Sequence, residues 1–429
     1  MLLDVVGGVD SIQVAGDRPD SRTERCTVRS MAAFDGVALG TDNTAASGGM
    51  LLFATERSTD SATQTLDSGA EVEVREGSRA VVVRGLSDCD SYETARSRGV
   101  EEAQRGLDLL CAKGITVLVL ADIDSEHFVW WRGSTETVGR ISAYVRLRIR
   151  GGLGTVLING VPPPAPPDVW HESERYFRQA QVTSDLFDAF RNLYLALESV
   201  LTTLTPQQQG EREGAWFRRA LASADRALAG GLAPYAPNPS SSDPVGDLYD
   251  EVYVQIRNAV FHAKQGRPAL LPFDVHGRRA VQEVLERVAR MYLALLEQVV
   301  GVRFRTAGMF QVAFRRAYET APINRICFSA SEEPLDAKAE AVDADAIGTA
   351  ARRAPEHDEP WTVAFCASIT PRDLARLPWV RKVTAAADDQ PYIAEDLEGR
   401  LDLSGLDRVE VVMAIRGENS RTVRTRYIS

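Results

Sequence analysis

The sequence predicts a multidomain α+β protein. A β-rich N-terminal domain covers residues 1–160, a central all-α up-and-down helical bundle covers 169–303, and a small α+β C-terminal domain covers 304–429. Three observations carry this expectation. Before residue 160, apolar residues alternate or fall in short β-branched runs, each closed by a turn signal. From His171 to Arg303 they recur at i, i+3 and i+4, and after Gly301 strand-like runs return. Between the first two regimes lies Val161-Pro162-Pro163-Pro164-Ala165-Pro166-Pro167, a stiff extended linker assigned to 161–168.

Strands are expected in the first region at 50–56, 71–76, 80–85, 115–122 and 141–150. Turn signals separate them at Ser47-Gly48-Gly49, Asp67-Ser68-Gly69 and Arg150-Gly151-Gly152. One helix interrupts at 92–112, with Ala103, Leu107, Leu110 and Cys111 at helical spacing and Gly114 beyond its end. Asp122, Asp124 and Glu126 alternate, so an extended segment would set three carboxylates on one face, a weak candidate for a divalent cation. Solvated acids at a strand end are the preferred reading, and no metal or other cofactor is expected. Gly151-Gly152-Leu153-Gly154 joins two strand-like runs and reads as a hairpin turn, not as a dinucleotide fingerprint.

In the central region helices are expected at 171–181, 183–203, 211–229, 243–264 and 275–300. The fourth is the one the rest is read around. Asp243 followed by Pro244 is an N-cap with proline at the first helical position, and Gly266 with Pro268 closes the segment. On a wheel of about 100° per residue, Leu248, Tyr249, Val252, Tyr253, Ile256, Ala259, Val260 and Ala263 share one apolar arc, which assigns both tyrosines to the core. Arg257, Asn258 and His262 fall on the polar side, with Asn258 and His262 neighbours at i, i+4.

A histidine beside an arginine suits phosphodiester chemistry. Histidine can move a proton near neutral pH, and arginine offers a fixed charged fork to phosphate oxygens. Asn258 can orient either group. Glu251 and Lys264 are candidate supporting residues, although a solvated helix charge is the simpler role for Glu251.

The string Arg257-Asn258-Ala259-Val260-Phe261-His262-Ala263-Lys264 resembles the R-x4-H signature of the HEPN superfamily of all-α domains, over roughly residues 171–303. The resemblance implies a metal-independent endoribonuclease in which two protomers pair and set two motifs in one cleft. It assigns His262 as general acid/base, Arg257 as stabiliser of the transition state and Asn258 as the third functional position. RNA would be cleaved by its own 2′-hydroxyl, and a toxin or phage-defence role enters by the same likeness. The implied partners are an RNA substrate and a second copy of the chain, with an unidentified regulatory ligand or protein. The alternative is a non-catalytic dimerisation or ligand-binding module, with sensing by the flanking β-rich regions.

Charge limits where RNA could lie. The net charge is −11, yet residues 171–305 hold 16 basic and 16 acidic side chains, so the acidic excess sits in the flanks. The five cysteines are scattered, with no C-x-x-C pair, which argues against a disulfide framework or a zinc site. There is no apolar run of about 18 residues and no signal-peptide pattern at the start, so the expected compartment is the cytoplasm, without membrane contact. In the last region strands are expected at 324–331, 361–369, 409–417 and 422–429, and over 304–318. A short helix is expected at Thr370-Pro371, and the acidic, alanine-rich stretch 331–360 reads as an exposed helix–loop or disordered insertion.

Overall fold

The computed structural model describes residues 30–41, 46–121, 127–147, 170–183, 185–262, 270, 275–302, 318–333, 341–357, 362–388 and 390–417. From the N-terminal side come β1 (Ser30–Phe34), β2 (Val37–Thr41), β3 (Gly48–Phe53), β4 (Ala62–Thr65), β5 (Glu71–Val74), β6 (Ala80–Leu86), α1 (Tyr92–Ala112), β7 (His127–Arg132) and β8 (Thr137–Leu147). From the C-terminal side come β9 (Arg325–Ser329), β10 (Ile347–Ala350), β11 (Arg352–Arg353), β12 (Thr362–Ile369), β13 (Val380–Ala387), β14 (Gln390–Asp402) and β15 (Arg408–Gly417).

These strands do not form two separate units. Among the described residues one sheet runs β10-β9-β13-β14-β1-β2 and the other β11-β12-β15-β8-β7-β3-β6-β5-β4. Each therefore mixes strands from both ends of the chain. The first sheet is antiparallel throughout. The second carries a parallel seam, β8 against β15, in continuous register from Val138↔Arg408 to Leu147↔Gly417. Two ion pairs reinforce that seam: Arg140 with Glu410 at 2.7 Å, and Arg408 with Glu136 at 2.7 Å.

The hydrophobic core lies between the sheets. Phe34, Leu39, Phe53, Phe128, Trp130, Phe328, Phe365, Val383 and Met413 from both ends of the chain pack there as one cluster. Trp130 ties the layers by donating its indole N–H to the Leu39 carbonyl at 2.8 Å. Gly40 makes this possible, because a Cβ at that position would stand 2.1 Å from the Trp130 ring. On the outer face of the second sheet, α1 buries Ala95, Val100, Ala103 and Leu107 against Met50, Val72 and Val83. Ser91 caps α1 by accepting from the Thr94 backbone N–H.

The remaining helices lie between the two halves of the scaffold in sequence: α2 (Ser173–Val182), α3 (Leu186–Leu204), α4 (Glu213–Ala227), α5 (Pro244–Leu248), α6 (Asn258–Phe261) and α7 (Val275–Leu295). They have a core of their own, in which Phe187, Phe190, Leu197, Trp216, Phe217, Leu285 and Tyr292 are buried. The contact between α1 and α7 joins this layer to the scaffold.

The expected architecture needs correction. The molecule is organised by two large sheets built from both ends of the chain, and an up-and-down bundle is not its centre. The expected long fourth helix is three pieces: α5, a π-helical stretch Tyr249–Arg257, and α6. Hydrogen bonds from i+5 to i widen the turn, so a single 3.6-residue period does not run through it. The stretch 331–360 is not a helix–loop where it is described, since it supplies β10, β11 and a 3₁₀ turn at Pro355–His357. The segment after Thr370 is turns, not a helix. The described part of 115–122 forms no named strand, only the bridge Ala54↔Leu120. The expected strands at 304–318 and 422–429 lie in the undescribed residues, apart from Tyr318. So do the proline linker 161–168, the turn at Gly151–Gly154, and the acidic trio Asp122, Asp124 and Glu126.

Candidate functional site

The site is built by three helical elements. Asp243 caps α5 by accepting from the Gly246 N–H at 2.9 Å, with Pro244 at the first helical position. The π stretch that follows has a strong consequence for its side chains. Tyr249, Tyr253, Arg257 and Phe261, spaced by four, stack into one column. The two tyrosine rings lie 5.4 Å apart and 17° from parallel. The Arg257 guanidinium lies 5.3 Å from the Tyr253 ring centre and 4.9 Å from that of Phe261. Arg257 is thus turned inward along an aromatic face, and its side chain is only 12% exposed.

From α3, Tyr194 closes the other side, its ring 5.7 Å from the same guanidinium. Asp185 fixes the start of α3 by accepting from the Asp188 N–H at 2.8 Å. From the first turn of α4, Glu213 reaches Arg257 at 2.6 Å. Gly214 lets α4 approach, because a Cβ there would stand 2.9 Å from the Tyr253 ring and 3.0 Å from the Tyr249 hydroxyl. Arg191 on α3 completes the closure by donating to the Val260 carbonyl at 2.8 Å.

The motif residues do come together. Arg257 donates from one terminal nitrogen to His262 Nε2 at 3.1 Å and to Asn258 Oδ1 at 3.3 Å. A guanidinium can only donate, so Nε2 presents its lone pair and the imidazole carries its proton on Nδ1. His262 ends α6 in an extended conformation and stays partly exposed. Glu251 is elsewhere: it pairs with Arg287 on α7 and fastens the π stretch to that helix, so it does not orient His262. Burial pushes the Glu251 carboxyl above its ordinary range, against the pull of Arg287. Lys264 lies outside the described residues.

Two residues that the motif does not announce complete the electrostatics. Glu198, one turn after Tyr194 on α3, feels both Glu213 and Arg257, and burial raises its carboxyl above the ordinary range, with Glu213 adding to the shift. Tyr194 is 1% exposed, and its hydroxyl has no hydrogen-bond partner among the described residues. Burial holds that hydroxyl far above the usual phenol range, with Glu198 and Glu213 adding to it. The i, i+4 spacing of Tyr194 and Glu198 inside an otherwise apolar stripe was the available sequence signal. Only tertiary structure brings Glu213 to them.

Among the described residues no group of three or more His, Cys, Asp or Glu side chains is placed to hold a metal ion. No described helix is long and apolar enough to cross a membrane. Residues 174–297 match a family model described as methylamine utilization protein MauJ. No curated protein and no solved structure matches the chain. The match overturns the resemblance to the HEPN superfamily, since it spans the same helices and contains the Arg257–His262 motif. The match gives no support to the ribonuclease, toxin and phage-defence expectations drawn from that resemblance.

Proposed function

We propose that the helical layer is a non-catalytic ligand-binding module carried on the two-sheet scaffold. The observation that carries this reading is the commitment of Arg257. Its guanidinium is paired with Glu213 at 2.6 Å, laid against three aromatic rings and bonded to His262. An arginine that stabilises a phosphoryl transition state must present its fork to the substrate. Here one terminal nitrogen is taken by His262 and Asn258 and the other stands against Glu213, so both arms of the fork face groups of the protein itself. What remains open to a ligand is the carboxylate side of the cluster. The description of the matched family makes amine metabolism the setting we propose for the module, in the cytoplasm.

The test is turnover against binding. Full-length protein incubated with total RNA in EDTA is expected to give no discrete products, and His262→Ala is expected to behave identically. Amine ligands are expected to raise the melting temperature in a saturable way. Discrete cleavage that disappears in His262→Ala would refute the non-catalytic reading.

A further inference from the structure

A cavity of about 250 Å³ lies between the two sheets, beside the β1–β2 and β5–β6 turns. Phe34, Val37, Phe53 and Val82 line it and belong to the core, so its inner part is apolar. The two phenyl rings meet edge to face, with centres 5.9 Å apart. Arg57, Arg75 and Arg79 also line it, and all three are held in place. Arg79 spans the sheets, donating from Nε to the Ala54 carbonyl at 2.7 Å and pairing with Glu398 at 2.5 Å. Arg75 pairs through Nε with Glu73 at 2.9 Å, which leaves its terminal nitrogens uncommitted among the described residues. Arg57 donates from one terminal nitrogen to the Gly77 carbonyl at 2.6 Å and has no carboxylate partner among the described residues. Its loop is fixed as well: the Gly77 N–H donates to the Ser58 carbonyl and the Ser58 N–H to the Ser78 carbonyl, both at 2.8 Å. Asp35 and Glu398, which line the same cavity, hold φ of 47° and 57°. That left-handed backbone is costly for residues with a Cβ and persists where the surroundings dictate it, often at binding sites.

We propose that this cavity binds a small aromatic carboxylate, its ring against Phe34 and Phe53 and its carboxylate at Arg57 and Arg75. Volume sets the size of the body. An apolar cavity of about 150 Å³ takes a benzene ring, so this one has room for a ring and a carboxylate-bearing arm. The arginines set the head. A guanidinium has donors only, and a carboxylate is the planar acceptor that matches its fork. Arg57 carries a charge that no described carboxylate settles, and Arg75 has both terminal nitrogens to offer. Three of the lining acids are already engaged. Glu73 is shared by Arg75 and Arg84, Glu398 is held by Arg79, and Asp35 accepts from the Arg400 N–H at 2.9 Å. Glu76 has no cation partner among the described residues and opposes an anion, so a cationic head is the rival that the test must exclude. The cavity belongs to the scaffold, and its assignment stands or falls apart from the reading of the helical layer.

The experiment is saturation-transfer NMR on the full chain with phenylacetate as the probe, following its ring protons at constant ionic strength. Benzyl alcohol removes the charge, acetate removes the ring, and phenethylamine reverses the charge. Phenylacetate is expected to bind saturably in the sub-millimolar to millimolar range, as suits a ligand of roughly ten heavy atoms. Benzyl alcohol and acetate are expected to bind at least about tenfold more weakly, and phenethylamine not to displace the probe. Arg57→Gln is expected to weaken binding about tenfold, the loss of a charge-assisted hydrogen bond. Ala80→Leu puts a larger side chain into the cavity lining and is expected to abolish binding. Both variants are checked for folding by far-UV circular dichroism. Arg57 is exposed, so its variant decides the outcome if the Ala80→Leu chain does not fold. Absence of saturable binding overturns the proposal, as does displacement by phenethylamine, equal binding of benzyl alcohol or acetate, or unchanged binding in Arg57→Gln.

Discussion

Replacing Arg257 by methionine separates a structural arginine from a catalytic one. The substitution keeps an unbranched apolar stem against Tyr194, Tyr253 and Phe261 and removes the guanidinium. Breaking a fully buried ion pair by deleting one partner costs about 3–5 kcal/mol. Arg257 is 12% exposed and Glu213 34%, so solvent reaches the acidic partner and the loss falls to roughly 2 kcal/mol. The three guanidinium–ring contacts add roughly 0.5 kcal/mol each, for a total of about 3–4 kcal/mol. The assay is urea denaturation of the purified chain followed by far-UV circular dichroism, with the slope m expected to stay constant. A double-mutant cycle with Glu213→Gln isolates the pair and is expected to return a coupling of about 1.5–2 kcal/mol. A residue held ready for substrate would behave otherwise, because trimming such residues is often neutral or stabilising. An Arg257→Met chain within about 1 kcal/mol of the parent, or a coupling near zero, would refute the reasoning.

Other outcomes follow from the same geometry. Gly40→Ala forces a methyl into the Trp130 ring, where a Cβ would stand 2.1 Å away, and should cost about 2–3 kcal/mol by denaturant midpoint. Asp243→Ala removes the N-cap of α5 and should cost about 1 kcal/mol, with Asp243→Asn retaining most of it. Glu251→Gln unpairs Arg287 and should cost about 2 kcal/mol, read as a lower midpoint for the helical layer. Burial raises the Glu198 carboxyl, with Glu213 adding to the shift and Arg257 opposing it. A raised folded-state pKa means that the folded chain holds the proton more tightly than the unfolded chain. This contribution is therefore present in acid and fades as pH rises through the folded value. Glu198→Gln should consequently gain stability relative to the parent as the buffer moves from acid to neutral, measured as paired denaturant midpoints.

Elements whose own residues insist on one conformation could be read from the sequence. The helix expected at 92–112 is α1, Tyr92–Ala112, set by a capping serine and a helical stripe. The β-branched runs at 80–85 and 409–417 are β6 and β15. What stayed hidden depends on distant partners. β1 and β2 are short and alanine- and glycine-bearing, although Asp35-Gly36, with φ of 47° and 77°, is a recognisable hairpin turn. β13 and β14 carry many charged residues, and their strand character comes from pairing with β9 and β1. Nothing local reveals that residues 30–147 and 325–417 share two sheets. At the site, Arg257 contacts both other motif residues, Asn258 and His262. The wheel set Arg257 on the polar side, because it assumed an α-helical period where the backbone is π-helical. Glu198, Glu213 and Tyr194 belong to other helices, so no spacing within the motif could supply them.

The parallel seam of β8 and β15 sets an order of events during synthesis. β8 ends at Leu147, and its neighbour begins only at Arg408. Until the ribosome has delivered that later strand, the edge of β8 is an open row of peptide groups inviting the wrong neighbour. The intervening helices bury their own apolar faces and can compact in the meantime. A nascent chain halted before Arg408 should therefore expose a sticky half-sheet, which makes β15 the latch that decides between assembly and aggregation.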